Sequence, residues 1–342
     1  MKKFKIGKHT ISDVNCCLIV AEIGPNHNGN FKKALKLIEL AKKSGCDAVK
    51  FQYRLADYEL TDKNSKSYYF NKPRYEFIKK IQEFSFDQHR KIRNYCKKKE
   101  IIYICSVFSE KSLQNLLKLK PDAIKIPSGE LNNLWMLEKL SKIREPIIIS
   151  SGMSDYNEIN KVLSLFKKKK NKIFLHCTSE YPTKIHDINL KFINFIKEKF
   201  KIFSGLSDHS RNLEVLGAAI ALGAKMIEVH FTEDINLKGP DHKVSLVPNE
   251  MKKLVEKRDI IIKALGDKKK KLGIHVKRMR NTFTNSIYLK KDLKKGERVL
   301  KKDICFMKPG YGLSPFQYKK ILNKKLKRDM KKNELILLND VK

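Results

Sequence analysis

Residues 16–53 read CCLIVAEIGPNHNGNFKKALKLIELAKKSGCDAVKFQY. Two apolar runs, CCLIVAEIG and DAVKFQY, flank an amphipathic segment, FKKALKLIELAKKSG, which stops at a glycine, the usual signal for the end of a helix. Near-continuous apolar runs of this kind are typical of strands that are buried on both faces. The stretch therefore predicts a strand, a helix and a second strand of a parallel sheet.

The same alternation continues to about residue 265. Six further runs have the composition of buried strands: IIYICSVF, DAIKIPSG, PIIISSG, KIFLHCTS, IFSGLSDH and KMIEVHFT. Roughly eight strand–helix units over about 250 residues match an α/β fold of the (β/α)8 TIM-barrel type in number and size. A doubly wound open sheet is the structural alternative, but no GxGxxG turn follows the first strand.

The pattern changes twice along the chain. Residues 55–73 form a long polar segment, of the kind that covers a site or moves. We expect a barrel domain over residues 1–266, a charged linker without apolar periodicity over 267–283, and a small β-rich domain over 284–342.

Composition limits the classes of function. The formal net charge is +37, which raises the hypothesis of a nucleic-acid-binding protein. Lysine far outnumbers arginine and is spread over nearly every predicted helix, however, and no nucleic-acid motif is present. No apolar run is long enough to span a membrane, and no apolar signal segment follows the basic start. An odd number of cysteines, mostly within apolar runs, indicates buried thiols in a reducing cytoplasm.

Polar residues end nearly every predicted strand, and barrel enzymes place their active site at that end. A hydrogen-bonded strand terminus explains any one of these residues, but their repetition around one rim, rich in Lys, His and carboxylates, predicts a site. They are Glu22, Lys50, Gln52, Ser106, Lys125, Ser128, Glu130, Ser150, Ser179, Tyr181, Ser207, Asp208, His209 and His230.

Two of these residues form a candidate metal site. His209 and His230 end the last two predicted strands, which are neighbours in a closed barrel. Two imidazoles with open positions for oxygen ligands suit Mn²⁺ or Mg²⁺ better than a closed structural Zn²⁺ site. Hydrogen-bonding or catalytic roles for the pair remain open at this stage. His27 and His176, also near strand ends, are assigned no more than a supporting role.

Lys50 and Lys125 lie inside otherwise apolar strands, where an unpaired ammonium group is costly. Three explanations are open: an ion pair with Glu22 or Glu130, a bound phosphate and carboxylate, or a Schiff-base lysine with a lowered pKa. Ser106, Ser128, Ser150 and Ser207 offer hydroxyl donors for a phosphate without a P-loop.

The ordered set of motifs resembles the sialic acid synthases and their legionaminic and pseudaminic acid relatives, over almost the whole chain. The tail after residue 284 resembles the antifreeze-like (SAF) domain of these enzymes. The motifs that carry the resemblance are AEIGPNHNGN, VKFQ, IKIPSGE, SSGM, LHCTSEYPT, GLSDHS, EVHFT, GPDH and KPGYG.

The resemblance implies a role for each matching position. His209 and His230 fall where the family binds Mn²⁺. The positions implied for phosphoenolpyruvate are Ser106, Lys125, Ser128, Ser150, Ser179 and Ser207. The positions implied for the acceptor sugar are Glu22, Gln52, Tyr181 and Asp241, whereas Lys50 and Glu130 match positions near the reacting carbons. In the family, the SAF domain of a swapped partner subunit adds a cation over the sugar, here Lys308.

The implied reaction joins phosphoenolpyruvate to an N-acylated amino sugar and releases phosphate, in a cytoplasmic homodimer. Glu22 and Glu130, near a metal and two lysines, are expected to ionise easily and to serve as bases. Lys308 replaces the usual arginine, TFTNSIYL replaces a more basic domain start, and Ser179 replaces an asparagine of the N-acetylneuraminate branch. CTSEYP with GPDHKVSLVP favours the legionaminic side. The acceptor alternatives are N-acetylmannosamine, its 6-phosphate and a diacetamido-trideoxyhexose.

Two rival functions stay open from sequence. One is a barrel aldolase that uses Lys125 as a Schiff base. The other is a catalytically inactive basic protein that binds nucleic acid or an anionic polysaccharide, with steeply salt-dependent affinity.

Overall fold

The computed structural model describes residues 3–14, 16–66, 73–267 and 269–342. The chain divides into two compact units, Met1–Gly266 and Asp267–Lys342. Each unit has its own apolar core.

The first unit is a closed barrel of eight parallel strands, so the predicted TIM barrel is confirmed. All eight apolar runs of the sequence form its strands: β3 Leu18–Glu22, β4 Ala48–Tyr53, β5 Ile102–Val107, β6 Ala123–Ile126, β7 Ile147–Ser150, β8 Lys172–Cys177, β9 Phe203–Asp208 and β10 Met226–His230. Each strand pairs with the next in chain order, and β10 closes the ring by pairing with β3, in a register that sets His230 beside Glu22.

Helices surround the barrel: α1 Phe31–Lys43, α2 Ala56–Glu59, α3 Arg74–Phe77, α4 Phe86–Lys98, α5 Glu110–Leu119, α6 Leu134–Lys142, α7 Tyr156–Leu165, α8 Lys191–Phe200, α9 Leu213–Ala221 and α10 Pro248–Leu265. Capping side chains mark the start of several of these helices. The side chain of Asn30 accepts from the Lys33 amide at the start of α1, and Ser85 forms a capping box with Gln88 before α4. The apolar faces of all these helices except the short α2 and α3 pack on the outside of the strands.

An N-terminal hairpin, which the sequence did not predict, closes one end of the barrel. Strands β1 Phe4–Ile6 and β2 His9–Ile11 pair antiparallel. The fully buried side chains of Ile6 and Ile11 join a cluster of residues near the starts of the barrel strands, including Leu18, Ile102 and Phe203. Because this end is filled with apolar side chains, any ligand must enter from the opposite end, where the strands finish.

The polar segment 55–73 carries more regular structure than predicted. It begins with α2, and α3 starts directly after it and runs into a π-helix, Ile78–Gln82. The part of the segment between residues 67 and 72 lies outside the described residues, so its expected covering or mobile role stays a prediction.

The second unit begins with helix α11, Ile274–Phe283, within the segment predicted as an irregular linker. No residue of α11 is buried, which is why no apolar periodicity marks it in the sequence. Strands β11 Ser286–Leu289 and β12 Ile304–Met307 then pair antiparallel. In the described part of the chain, no helix has both the length and the apolar character that crossing a bilayer demands.

Candidate active site

A cavity of about 880 Å³ opens at the end of the barrel where the strands finish. With the exception of Asp208, every site residue predicted in the first unit lines it: Glu22, Lys50, Gln52, Ser106, Lys125, Ser128, Glu130, Ser150, Ser179, Tyr181, Ser207, His209, His230 and Asp241. The structure thus brings together side chains from all eight barrel strands or the loops that follow them. Asp208 does not line the cavity but accepts hydrogen bonds from the backbone of Ser210 and Arg211.

A buried ionic cluster forms part of the cavity wall. Lys125 Nζ lies 2.8 and 2.7 Å from the two carboxylate oxygens of Glu228. Lys50 Nζ lies 2.9 Å from Glu22 Oε2 and 3.3 Å from Glu228 Oε1, and the Ser207 hydroxyl donates to Glu228 at 3.0 Å. Burial alone would raise the pKa of Glu228, but the two ammonium groups lower it far below its usual value.

Both buried lysines are paired with glutamates. Lys50 pairs with Glu22, as one alternative held, but Lys125 pairs with Glu228 and not with Glu130. Burial lowers the pKa of Lys125, with Glu228 opposing it. The lowered pKa meets one requirement of the Schiff-base alternative, whereas the contact with both oxygens of Glu228 fits the ion-pair alternative.

The expectation that Glu22 and Glu130 ionise easily is wrong for the protein alone. Burial raises the pKa of Glu22, Lys50 lowers it and Glu228 raises it again. Burial also raises the pKa of Glu130, whose carboxylate accepts from the Asn133 amide at 3.0 Å. Desolvation in the cavity outweighs the attraction of the nearby cations, which are Lys50 for Glu22, and Arg54 and Arg74 for Glu130.

Small polar groups form a pocket beside the lysines. The Gly152 amide donates to Ser128 Oγ at 2.9 Å, and a Cβ added at Gly152 would lie 2.3 Å from Ser179 Oγ. Ser150 Oγ is buried with no hydrogen-bond partner among the described residues. A buried hydroxyl without a partner is costly, so this pocket is suited to an anion with several oxygen acceptors.

The histidine pair also fits a metal ion. The rings of His209 and His230 lie 5.4 Å apart between centroids, and two imidazoles that bind one ion at about 2.1 Å hold their rings about 5 Å apart. Burial and the charge of His209 hold the pKa of His230 well below its usual value. Its Nδ1 has no hydrogen-bond partner in the described chain and lies 3.3 Å from Asp241 Oδ2.

His209 is oriented as metal-binding histidines commonly are. Its Nδ1 lies 2.8 Å from the Thr178 carbonyl oxygen, which leaves Nε2 for the cavity side. Burial opposes protonation, but the Cys177 sulfur raises the pKa of His209 to about 9, and a bound cation would compete with that proton. Within the described residues, no group of three or more His, Cys, Asp or Glu side chains is arranged to hold a metal, so a metal held by the two histidines would need water or substrate as its other ligands.

Sequence reasoning missed several residues that line this cavity, and three of them bear on its chemistry. Glu228 stands two positions before His230 on one strand, and that spacing could have placed it on the same face. Cys177 lines the cavity, where His209 and Lys125 lower its thiol pKa against the effect of burial. Arg54, which follows β4, also lines the cavity and is 6% exposed.

Three predicted residues lie elsewhere. Lys308 is an exposed residue of the second unit, in the loop after β12. His27 stacks on Phe84 at 4.2 Å between ring centroids, and His176 Nε2 lies 2.6 Å from the Ile188 carbonyl oxygen. Neither histidine lines the cavity, so both have packing or hydrogen-bonding roles.

Comparison with known proteins decides the family. Residues 37–270 match the model described as NeuB family, and residues 284–342 match that of the SAF domain. The chain belongs to the NeuB family. The resemblance to sialic acid synthases is therefore confirmed, and so is the SAF character of the tail.

This NeuB-family chain is similar to named synthases along nearly its whole length. It is 38% identical to the N,N'-diacetyllegionaminic acid synthase of Campylobacter jejuni, over 93% of this chain and 98% of that protein. It is 36% identical to the pseudaminic acid synthase of the same organism, over 94% and 96%. The crystal structure of an N-acetylneuraminic acid synthetase from Leptospira borgpetersenii superposes with a TM-score of 0.73 at 30% identity, covering 81% of this chain and 95% of that one. These relatives support a nonulosonic acid synthase.

Proposed function

We propose that this NeuB-family enzyme joins phosphoenolpyruvate, an N-acylated amino-sugar aldehyde and water, and releases inorganic phosphate. The observation that carries the proposal is the cavity itself. Two buried ammonium groups, on Lys50 and Lys125, line the cavity together with several serine hydroxyl groups. A small substrate with one phosphate and one carboxylate matches this set of cations and donors.

The charge of the cluster supports an anionic ligand. Glu228 is ionised, whereas burial raises the pKa of Glu22. The ammonium groups of Lys50 and Lys125 line the same cavity as Ser128 and Ser150, so an anionic ligand can contact cations and hydroxyl groups together. Phosphoenolpyruvate bound there would satisfy the unpartnered Ser150 hydroxyl.

The proposed reaction begins when carbon 3 of phosphoenolpyruvate attacks the aldehyde carbon of the open-chain sugar. The new C–C bond forms, the aldehyde oxygen takes a proton, and carbon 2 gains cationic character. Water adds to carbon 2, and the carboxylate form of Glu130, a stronger base because burial raises its pKa, accepts one of the two water protons. The C2–O bond to phosphate then breaks, the second proton passes from the new hydroxyl group to the departing phosphate, and the ketone of the product remains. Glu22 orients the sugar hydroxyls, with the Gln52 amide donating to Glu22 at 2.8 Å. The reverse assignment of the two carboxyl groups is the alternative.

A divalent cation, with Mn²⁺ preferred over Mg²⁺, is proposed at His209 and His230. It would polarise the aldehyde oxygen as a Lewis acid. Tyr181 lies against this site, because its ring is 4.0 Å from that of His209 between centroids. Asp241, whose pKa burial raises to about 7, faces His230 and is placed to contact the sugar.

The proposed acceptor is a 2,4-diacetamido-trideoxyhexose. The named legionaminic and pseudaminic acid synthases cover this chain almost completely, which supports an acceptor of that class. N-acetylmannosamine and its 6-phosphate are the alternatives that a substrate panel separates.

The proposed assembly is a homodimer in which the SAF domains are swapped, so that Lys308 of one chain reaches the sugar in the other. Exposed apolar side chains in the second unit support a partner surface. Met279 and Phe283 of α11 are 55% and 61% exposed, and Phe316 is 99% exposed.

One isotope-labelling experiment identifies both the product and the bond that is broken, and so tests the proposal. Phosphoenolpyruvate labelled with ¹⁸O at its bridging oxygen is incubated with protein, Mn²⁺ and the diacetamido sugar, and mass spectrometry follows both products. We expect a nonulosonic acid and ¹⁸O in the phosphate. Label retained in the sugar product, or trapping of substrate on Lys125 by borohydride, would contradict the mechanism.

A further inference from the structure

Strand β4 and the residue that follows it carry three polar side chains that line the cavity. Lys50, Gln52 and Arg54 are spaced two residues apart, which places them on one face, and all three line the cavity. Arg54 comes directly after the last residue of β4, so it lies farther along the strand direction than Lys50. Lys50 belongs to the ionic cluster and Gln52 contacts Glu22, but the proposed mechanism gives Arg54 no role.

Arg54 is fixed in place by two neighbours. Its guanidinium carbon lies 3.7 Å from the centre of the Phe108 ring, and its Nη2 lies 3.0 Å from Glu59 Oε2. Glu59 is itself anchored, because its other carboxylate oxygen accepts from the Leu55 amide at 2.7 Å. A guanidinium group held on both sides loses little further entropy when it binds a ligand.

The guanidinium group is nevertheless incompletely hydrogen-bonded. Arg54 is 6% exposed, and its Nε has no hydrogen-bond partner among the residues that the structure describes. A buried donor without an acceptor costs about 1–3 kcal/mol. Because Arg54 lines the cavity, a ligand can supply the acceptor that the protein does not.

The nearby charges favour a neutral acceptor atom. Glu59 pairs with Arg54, and the half-buried carboxyl group of Glu130 also lies close enough to act on it. Arg74 and Lys66 are exposed at the cavity edge. The Arg54 guanidinium group is therefore already paired with a carboxylate, and the Phe108 ring adds an apolar wall. An acylamino group combines a neutral carbonyl acceptor with an apolar methyl group.

We propose that Arg54, held by Glu59 and Phe108, binds the second acylamino group of a diacylated amino-sugar acceptor and so sets the choice of acceptor. This inference rests on the proposed function and names the substrate class that its cavity selects. The reaction itself takes place lower in the cavity, at Lys50, Glu130 and the histidines.

The test compares acceptors in Arg54→Ala. The specificity constant kcat/KM is measured at saturating phosphoenolpyruvate for the diacetamido-trideoxyhexose, N-acetylmannosamine and N-acetylmannosamine 6-phosphate. Losing a charge-assisted hydrogen bond should lower the ratio of kcat/KM for the diacetamido sugar over N-acetylmannosamine by about 10- to 100-fold, through KM. The control is Arg90→Ala, whose side chain is 56% exposed on α4 and which should keep the wild-type ratio.

Other outcomes overturn the inference. An unchanged ratio of kcat/KM, or a loss of activity confined to N-acetylmannosamine 6-phosphate, would mean that Arg54 does not bind a second acylamino group. If Arg54→Ala does not fold, Glu59→Gln serves instead, because it frees the guanidinium group and should raise KM for the diacetamido sugar alone. If the wild-type protein releases no phosphate with any acceptor, the proposed function fails. In that case, calorimetry measures the affinity of the wild-type protein and of Arg54→Ala for the diacetamido sugar. Equal affinities would contradict the proposed role of Arg54.

Discussion

Lys125 and Glu228 join opposite sides of the barrel. Lys125 is on β6 and Glu228 on β10, strands that lie four places apart in the ring of eight, and the ammonium group contacts both carboxylate oxygens. Glu228 also holds Lys50 of β4 and Ser207 of β9. One carboxylate therefore fixes side chains from three other strands at the heart of the proposed site.

Replacing Glu228 should lower the stability of the barrel. In Glu228→Gln, Lys125 and Lys50 lose a shared counter-charge inside the barrel. Breaking a buried ion pair typically costs about 3–5 kcal/mol, so we expect a loss of that size in the free energy of unfolding, measured with urea. The control is Glu214→Gln, whose side chain is 86% exposed and pairs with Lys257 at the surface. A loss below about 1 kcal/mol, typical of surface pairs, would contradict the central role of Glu228.

Enlarging Gly152 should weaken binding of phosphoenolpyruvate. A Cβ at this position would lie 2.3 Å from Ser179 Oγ and 3.0 Å from Ser128 Oγ, so the pocket must widen. We expect Gly152→Ala to raise KM for phosphoenolpyruvate about tenfold or more in steady-state kinetics. Gly273→Ala, where an added Cβ meets nothing within 4 Å, is the control. A normal KM in Gly152→Ala would place the phosphate elsewhere.

Two buried histidines should make the barrel sensitive to acid. Burial lowers the pKa of His27 to about 3 and that of His89 to about 3, below the unfolded value of about 6.5. The unfolded chain therefore binds protons that the folded chain does not, and stability present above pH 6.5 is lost as the pH falls. Each histidine should cost about 2 kcal/mol between pH 7.5 and pH 5.

Urea unfolding at the two pH values measures this loss. His89 stacks on Tyr53 at 4.0 Å between ring centroids, so His89→Phe keeps a ring in place while it removes the titrating group. We expect its pH-dependent loss to be smaller than that of wild type. His186→Gln, in which the lost side chain is 79% exposed, should behave like wild type. Equal losses in all three proteins would exclude His89 as a source of the pH dependence.

A mixed dimer tests the proposed domain swap. His230→Ala damages the barrel, whereas Lys308→Ala removes the cation of the SAF domain. In a swapped heterodimer of these variants, one site carries both changes and the other carries none, so about half of the wild-type activity should return. Dimers carrying two affinity tags isolate the heterodimer. Activity no higher than that of either parent variant would show that each SAF domain serves its own barrel.

The sequence predicted the barrel because all eight strands are buried on both faces and read as continuous apolar runs. The hairpin of β1 and β2 was missed because three-residue strands give no such signal, and α11 was missed because none of its residues is buried. The residues that line the cavity could be predicted because they lie at the ends of strands. The pairing of Lys125 with Glu228 could not be predicted, because the sequence gives no distance between β6 and β10 across the ring. The ionisation of Glu22 and Glu130 was misjudged for a related reason, since burial is a property of the folded cavity.

Phosphate release from phosphoenolpyruvate tests the central claim most directly. Purified protein is incubated with Mn²⁺ and, separately, the diacetamido-trideoxyhexose, N-acetylmannosamine or its 6-phosphate. We predict release that requires an acceptor, is greatest with the diacetamido sugar, and is abolished by EDTA and by His230→Ala. Folded, metal-loaded protein that releases no phosphate with any acceptor would contradict the account and leave the inactive basic binding protein as the better description.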